Sequence, residues 1–218
     1  MFRKEFIEQT LQEQAIAMKG DWQEGIDKIS TTSETVIKIK WRLLDNIKIP
    51  KLNKTYEFRQ LNNSLEFILG YWDTETLDTK LGKETKPVFE TIFSIGLTRY
   101  KSLGNILKYK KLINVDGVAV LKEYTGKGIS SIIYKYLVND LNYTILGDEE
   151  QYFGARKLWA RLSKELDVKV DIIDAKSKTL IHSNIVLHHG NYDEDFDNTL
   201  WSYKDDKKYL RSVLTKIL

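Results

Sequence analysis

The 218-residue chain has no cysteine. This absence excludes disulfide bonds, a thiolate nucleophile, cysteine-ligated zinc and iron–sulfur clusters. No apolar run approaches the ~18 residues that would span a bilayer. The first residues, 1–6 (MFRKEF), also lack the apolar core of a signal peptide. These absences predict a cytoplasmic protein without a membrane partner.

Neither sign of charge is in large excess, because 34 basic and 31 acidic residues give a formal net charge of only +3. Such a balance does not indicate nucleic-acid binding. Lysine outnumbers arginine by 27 to 7, whereas specialised DNA readers favour the bidentate guanidinium group. Nucleic acid is therefore a disfavoured partner. With 42% hydrophobic and 30% charged residues, the composition is that of a globular protein.

The first half of the chain predicts one helix followed by strands. Residues 2–19 place apolar side chains at helical spacing, and the helix ends near Gly20. This helix packs on the domain or, in the alternative interpretation, residues 1–20 dock on a protein partner. Alternation predicts strands over 36–43, 56–59, 65–72 and 88–97. The polar stretch 73–86 (DTETLDTKLGKETK) predicts a mobile loop.

The order of elements is clearest from residue 112 onward. The pattern predicts, in order, a buried strand over 112–121, a glycine-bearing turn over 123–128, a helix over 129–141, a strand over 143–146, a helix over 154–166, strands over 168–173 and 182–188, and a last helix over 205–218. Strands first and then alternating elements predict an α/β or α+β fold.

The turn Gly126-Lys127-Gly128 lies between a strand and a helix. Glycines allow a close approach of the backbone to a ligand, and the first amides of a helix are unpaired. Together with the helix dipole, the amides of about Lys127 to Ser131 predict a pyrophosphate site. The turn is neither a Walker loop nor GxGxxG, since Ser131 stands at the third glycine position. A tight turn without a ligand is the alternative interpretation.

Residues 118–130 (VAVLKEYTGKGIS) resemble the acetyl-CoA-binding motif of the GNAT superfamily of N-acetyltransferases. Residues 155–162 (ARKLWARL) are similar to the next helix of that family, of the form A-x-x-L-Y-x-x-L. The resemblance covers about 112–175 well and 88–111 loosely, and it is closest to phage-encoded GNAT-like proteins. It implies a mixed, mostly antiparallel central sheet flanked by helices over 61–218. Residues 1–60 then form an extension of a helix and a strand.

The resemblance also implies a role for each residue of the motif. The amides of Val118 and Val120 would pair with the pantetheine arm of the cofactor. The pyrophosphate would be held by Thr125, Gly126, Lys127, Gly128, Ile129 and Ser130. The thioester would enter between the strands near 118–120 and 143–146, where an amine freed of its proton attacks it.

For the base that deprotonates the amine, the sequence offers Asp116 first and Glu90 second. In the alternative interpretation both are strand residues that face water. Trp159 stands where the family has the tyrosine that protonates the leaving thiolate, and an indole N–H is not a usable acid. Tyr152 or water would take over that role, while Trp159 itself fits a core aromatic equally well.

No metal site is predicted. His182 and His188 lie six residues apart on a predicted strand, about 20 Å by strand rise. The acidic run 193–198 lacks the glycine and the glutamate of a calcium loop.

The resemblance implies an acyl-CoA-dependent N-acyltransferase, with acetyl-CoA or another acyl-CoA as co-substrate and an amine as acceptor. One alternative is a GNAT-like binding or structural module without turnover, such as a phage virion protein. Another is a DNA-base-modifying relative of the Mom type, which the charge balance disfavours. A phage-encoded protein would lie in the host cytoplasm or in the virion.

Overall fold

The computed structural model describes residues 34–79, 82–101, 107–147, 153–187 and 209–217. Its helices are α1 (Glu34–Lys40), α2 (Ile129–Asn139) and α3 (Phe153–Leu162), with short 3-10 helices at Pro50–Leu52 and Lys122–Tyr124. Its strands are β1 (Trp41–Ile49), β2 (Lys54–Leu61), β3 (Glu66–Thr79), β4 (Gly82–Arg99), β5 (Leu112–Val120), β6 (Thr144–Leu146), β7 (Val168–Asp174), β8 (Thr179–His182) and β9 (Leu210–Lys216).

The nine described strands form one sheet in the order β1-β2-β3-β4-β5-β6-β9-β7-β8. Strands β5 and β6 pair in parallel. The pairs β1–β2, β2–β3, β3–β4, β6–β9, β7–β8 and β7–β9 are antiparallel. The predicted combination of helices with a mixed, mostly antiparallel sheet is therefore confirmed.

The described chain divides into two compact units. The first contains residues 34–97 and 116–129, and the second contains 98–115 together with the described residues from 130 onward. The predicted division into an extension (1–60) and a domain (61–218) stays a prediction.

In the first unit, α1 packs on one face of strands β3 and β4. Ile37 of α1 is buried against Ile68 and Phe89, and Trp41 and Trp72 pack around this cluster. Burial of these large side chains removes apolar surface from water, which is the main force that holds α1 on the sheet.

A buried cation lies beside this cluster. Arg59 pairs with Glu57 at 2.6 Å and donates a hydrogen bond to the Trp41 carbonyl at 2.8 Å. The Trp72 indole N–H donates to the same Glu57 carboxylate at 3.1 Å. Because the charge of Arg59 is paired and its donors have acceptors, its burial is tolerated.

The opposite face of β2 and β3 carries the alternate residues of each strand, because side chains along a strand point to opposite faces in turn. Phe58 and Phe67 stack with ring centres 5.6 Å apart. Tyr56 and Tyr71 meet edge to face, with ring centres 5.7 Å apart. This face is therefore apolar toward one end of the strands and carries tyrosines toward the other.

In the second unit, Leu112, Leu146, Ile173 and Val213 form a buried cluster. Strand β9 lies between β6 and β7, and its residues 211–214 are all buried. A strand that pairs on both edges and is covered on both faces does not show alternation of buried and exposed residues, and β9 is such a strand.

A buried carboxylate fixes the segment that follows β8. Asp171 is 1% exposed. It accepts hydrogen bonds from the Tyr109 hydroxyl at 3.0 Å, the Ser183 hydroxyl at 2.9 Å and the Asn184 amide at 2.9 Å. Lys169 lies 3.3 Å away and supplies a countercharge. Residues from two loops thus depend on one side chain.

Several predicted elements are confirmed. The strands over 112–121, 143–146 and 168–173 correspond to β5, β6 and β7, and the helices over 129–141 and 154–166 correspond to α2 and α3. Periodicity predicted these elements well because each has one clearly buried side or is buried on both.

The strand predicted over 36–43 is wrong for its first five residues, which belong to α1. A short alternation also fits a helical turn: Ile37 alone is buried in α1, while Glu34 and Lys38 form an ion pair four residues apart.

The mobile loop predicted over 73–86 is also wrong. Its described residues extend β3 and β4 as a regular hairpin, in which Asp73 pairs with Val88 and Thr79 with Gly82. Both faces of this ribbon are largely exposed, so its residues are polar although its backbone is a strand. Glu75 and Lys86, which face each other in the register, form a 3.1 Å ion pair.

Two predictions near the C-terminus need correction. Residues 210–216 of the predicted last helix form strand β9, because a short apolar run fits either structure and here lies between two strands. The strand predicted over 182–188 is wrong beyond its first residue. Strand β8 ends at His182, and residues 183–187 are irregular because Asp171 binds this segment through Ser183 and Asn184. The helix predicted over 2–19 lies outside the described residues, and so does the proposed partner surface 1–20. Residues 205–208 of the predicted last helix also lie outside them.

We expect Gly70→Ala to destabilise the first unit. A Cβ there would lie 2.3 Å from the Glu90 carbonyl oxygen and 2.6 Å from the Phe89 ring, at a register shift in the β3–β4 pairing. Overpacking of this kind costs about 2 kcal/mol. Urea unfolding measures the loss. Thr76→Ala on the exposed part of β3 is the control, and equal stability of the two variants would contradict the prediction.

We expect Asp171→Ala to lower the free energy of unfolding by about 3 kcal/mol, since it removes the buried acceptor that the Tyr109, Ser183 and Asn184 hydrogen bonds share. Exposed Asp140→Ala should change it little. Chemical denaturation of both variants against the wild type checks this. A loss from Asp171→Ala no larger than that from Asp140→Ala would refute the structural role of Asp171.

Candidate functional site

The candidate site is the connection between β5 and α2. β5 ends at Val120, and the amide of the next residue, Leu121, donates to the Ile92 carbonyl of β4 at 3.0 Å. The 3-10 helix Lys122–Tyr124 follows, and α2 begins at Ile129. The chain thus passes from a sheet to a helix within eight residues, as the sequence predicts.

Two glycines make this connection possible. Gly126 has φ +71° and Gly128 has φ +89°, a left-handed region that other residues adopt at a cost of roughly 1–2 kcal/mol. A Cβ on Gly126 would meet no atom within 4 Å. Glycine is therefore required at Gly126 by the backbone angle and not by lack of space.

Some amides of the turn are engaged within it. The Tyr124 amide donates to Leu121 at 2.9 Å, the Thr125 amide to Lys122 at 3.2 Å and the Lys127 amide to Tyr124 at 3.4 Å. The Thr125 hydroxyl donates to the Lys122 carbonyl at 2.7 Å. The predicted donors from Lys127 to Ser131 therefore include one, Lys127, that already has an acceptor.

The amides at the start of α2 are different. Ile129, Ser130 and Ser131 form the first turn of an 11-residue helix, so their N–H groups have no acceptor inside the helix. The positive end of the helix dipole coincides with these groups. This combination suits an anionic group, and a diphosphate in particular.

A lysine that the sequence analysis missed lies at the rim of the turn. The Lys51 ammonium group is 3.4 Å from the Gly126 carbonyl oxygen. Lys51 belongs to the 3-10 helix between β1 and β2, seventy-five residues earlier in the chain. No spacing rule relates the two positions, so only the fold could bring them together. Lys127 is half-buried within the turn itself.

Strand β5 carries an irregularity before it reaches the turn. Tyr100 donates to the Leu112 carbonyl, and Leu121 donates to the Ile92 carbonyl. Between these two hydrogen bonds the chain advances nine residues on the β5 side (112 to 121) and eight on the β4 side (92 to 100). One extra residue on β5 is a β-bulge, which turns side chains away from regular alternation and is common beside functional sites.

The pairing of β5 with β6 is short. It joins Leu112, Ile113 and Asn114 to Thr144, Ile145 and Leu146 and goes no further. β5 continues for six more residues, from Val115 to Val120. The amide of Leu121 points toward β4, so the amide of Val120, one residue earlier, points to the opposite side of the strand.

The two candidate bases do not lie together. Leu121 is hydrogen-bonded to Ile92. Asp116 lies five residues before Leu121 on β5, and Glu90 lies two residues before Ile92 on β4. Since the strands run in opposite directions, the two carboxylates are seven residues apart along the sheet, or about 23 Å. Both are half-buried. Only one of them can act at a given reacting centre.

Beside the turn lies a cluster of tyrosines. The Tyr71 side chain is hydrogen-bonded to Tyr124, which lies in the 3-10 helix of the turn. Burial, this hydrogen bond and the nearby carboxylates of Glu90 and Asp73 raise the pKa of Tyr71 above its ordinary value. Burial and the neighbouring Tyr124 likewise raise the pKa of Tyr56. These hydroxyls therefore keep their protons across the neutral range.

Trp159, which the sequence resemblance aligns with a catalytic tyrosine, is 3% exposed. Its ring meets that of Tyr134 edge to face, with centres 6.5 Å apart. This burial agrees with the interpretation of Trp159 as a core aromatic. Tyr152, the alternative acid, lies outside the described residues.

No protein-family model, curated protein or solved structure matches the chain. The functional assignment therefore depends on the chemistry of the residues and on the sequence resemblance.

The described part of the chain contains neither a metal cluster nor a membrane-spanning helix. Within it, no group of three or more histidine, aspartate and glutamate side chains could hold a metal ion. None of the described helices is long and apolar enough to cross a membrane. His182 is exposed on β8, whereas His188 and the acidic run 193–198 lie outside the described residues.

The raised pKa of Tyr71 predicts a loss of stability at alkaline pH. An unfolded chain releases a tyrosine proton near pH 10, whereas the folded state retains it. The contribution of protonated Tyr71 to the free energy of unfolding is therefore complete below about pH 10 and is lost as the pH rises beyond it. We expect the wild type to lose stability between about pH 10 and 11 more steeply than Tyr71→Phe.

Urea unfolding at a series of pH values measures this difference. Exposed Tyr100→Phe is the control and should follow the wild type. Parallel curves for the wild type and Tyr71→Phe would contradict the expected linkage.

Proposed function

We propose that this protein is an acyl-CoA-dependent N-acyltransferase with a GNAT-like fold, which transfers an acetyl group from acetyl-CoA to an amine. The observation that carries the proposal is the turn between β5 and α2. Left-handed Gly126 and Gly128 bring the chain into a helix whose first amides lack an internal acceptor. Such a turn is suited to the diphosphate of coenzyme A.

The order of elements supports the same proposal. β5 and β6 are joined through α2 and pair in parallel. Ligands of parallel strands bind beyond the carboxyl ends of those strands, and the glycine turn follows the carboxyl end of β5. The subsequent helix α3 and the antiparallel strands β7 and β9 agree with the fold that the resemblance implies.

In this proposal Asp116 is the base. A pantetheine arm that starts at the turn and pairs with Val120 and Val118 runs back along β5, toward Asp116. Glu90 lies about 23 Å away in the direction of the turn. Asp116 therefore lies nearer the thioester, and Glu90 nearer the diphosphate.

The chemical steps follow from these positions. Asp116 accepts a proton from the acceptor ammonium, and the freed nitrogen attacks the carbonyl carbon of the thioester. A C–N bond forms as the C–S bond breaks. The nitrogen releases its second proton to solvent, and the thiolate leaves with a proton supplied by Tyr152 or by water. The products are an amide and free coenzyme A.

A second candidate is a GNAT-like module that binds without turnover. Buried Trp159 favours it, since this side chain occupies the position of the family's acid and packs on Tyr134. A binding or structural role would retain the glycine turn but would not require Asp116. The two candidates differ in turnover and not in cofactor binding.

We expect isothermal titration calorimetry with coenzyme A to show a Kd in about the micromolar range. Gly128→Glu should weaken binding by about tenfold or more, because it adds a negative charge and a Cβ at φ +89°. Thr85→Glu, on the exposed part of β4, adds the same charge elsewhere and should bind as the wild type does. No heat at millimolar coenzyme A would refute cofactor binding.

Turnover is measured by release of free thiol from acetyl-CoA over a panel of amines. Asp116→Asn should lower kcat by about 100-fold, the typical contribution of a positioned base. Glu90→Gln should change it little, and Tyr152→Phe tests the acid. Cofactor binding without thiol release from any amine would favour the module without turnover.

A further inference from the structure

The ammonium group of Lys54 lies over an aromatic ring on the tyrosine-bearing face of the first unit. It is 3.2 Å from the centre of the Tyr71 ring and 5.9 Å from the centre of the Tyr56 ring. Lys54 is exposed, whereas Tyr71 is half-buried and Tyr56 is 2% exposed. The electron-rich face of Tyr71 is thus occupied by a cation that belongs to a flexible side chain.

The rings that receive this cation are held in place. Tyr56 and Tyr71 lie on neighbouring strands and meet edge to face, with an interplanar angle of 77°. The Tyr71 hydroxyl is tied to Tyr124 by a hydrogen bond. A ring held by a neighbouring ring and at its hydroxyl loses little freedom when a ligand arrives, so the ring is preorganised for a cation.

Two carboxylates lie near the same ring. Glu90 is directly opposite Tyr71 in the β3–β4 register, and Asp73 lies two residues further along β3 on the same face. Both act electrostatically on Tyr71. Their negative charges favour a positively charged group over the ring and disfavour an anion.

We propose that the face of Tyr71, flanked by Tyr56, Glu90 and Asp73, is a binding site for an organic ammonium group, and that Lys54 fills this site in the free protein. Lys54 begins β2 and its side chain is exposed, so its ammonium group can move into solvent without any movement of the strands. A ligand cation then takes its place. This inference does not depend on acyl transfer.

The probes are choline and its neutral isostere 3,3-dimethylbutan-1-ol, titrated into the full chain and followed by NMR chemical shifts. We expect choline to bind and the neutral alcohol to bind at least about fivefold more weakly, because the two molecules differ mainly in charge. Equal binding of the two probes would overturn the proposal.

The variant Lys54→Ala tests the filled state of the site. Removal of the competing ammonium group should tighten choline binding about three- to sixfold, since a larger fraction of molecules then has an open ring face. Lys48→Ala, an exposed lysine of β1, is the matched control and should leave affinity unchanged. No gain from Lys54→Ala beyond that of Lys48→Ala would overturn the role of Lys54.

Substitution of the ring tests the site itself. Tyr71→Phe retains an aromatic face and should bind choline within about threefold of the wild type, whereas Tyr71→Leu should lose at least about tenfold. Circular dichroism establishes that each variant is folded. If Tyr71→Leu does not fold, the comparison of charged and neutral probes on the Lys54→Ala variant decides the proposal. Unchanged choline binding by folded Tyr71→Leu would refute it.

Discussion

The candidate site depends on two backbone positions with positive φ angles between a strand and a helix. β5 delivers the chain to Leu121, which is tied to β4 through the Ile92 carbonyl, and α2 begins only eight residues later. The chain can reverse its course in so short a distance because Gly126 and Gly128 adopt positive φ angles. These angles place the first amides of α2, which have no acceptor inside the helix, at the end of the strand, which is where an anion would meet them. The chemistry we propose for the turn follows from this backbone geometry.

The surroundings of the turn come from a distant part of the sequence. Lys51 and Lys54 lie on either side of the connection between β1 and β2, and each meets a different partner: the Gly126 carbonyl and the Tyr71 ring. Tyr124 links the turn to the tyrosine face by its hydrogen bond to Tyr71. In the first unit the glycine turn that we propose for an anion and the aromatic face that we propose for a cation are therefore connected through Tyr124.

The sequence predicted those elements whose burial is strongly periodic, and it predicted the glycine turn from residue types alone. Thus β5, α2, β6 and α3 were located to within a few residues. It failed for short or solvated segments. Residues 36–40 alternate as a strand does, but burial of Ile37 alone suffices for a helix. The ribbon formed by the outer ends of β3 and β4 has no buried face, so polarity concealed its strands.

The candidate site was partly predictable for the same reason. Local features such as the two glycines and the start of α2 are properties of neighbouring residues. The separation of Asp116 from Glu90 follows from strand pairing, and the approach of Lys51 to Gly126 follows from tertiary structure. A sequence pattern that lacks long-range information could name these residues but could not say which of them meet.

The ribbon formed by residues 74–79 and 82–87 has an implication for how this chain could vary. Adding or removing one residue on each strand at its tip would preserve the register of the inner strands, because both strands change length equally. Nothing in the apolar interior of the first unit would have to repack. The hairpin could therefore be shortened, lengthened or joined to a grafted peptide while the glycine turn and the tyrosine-bearing face keep their geometry.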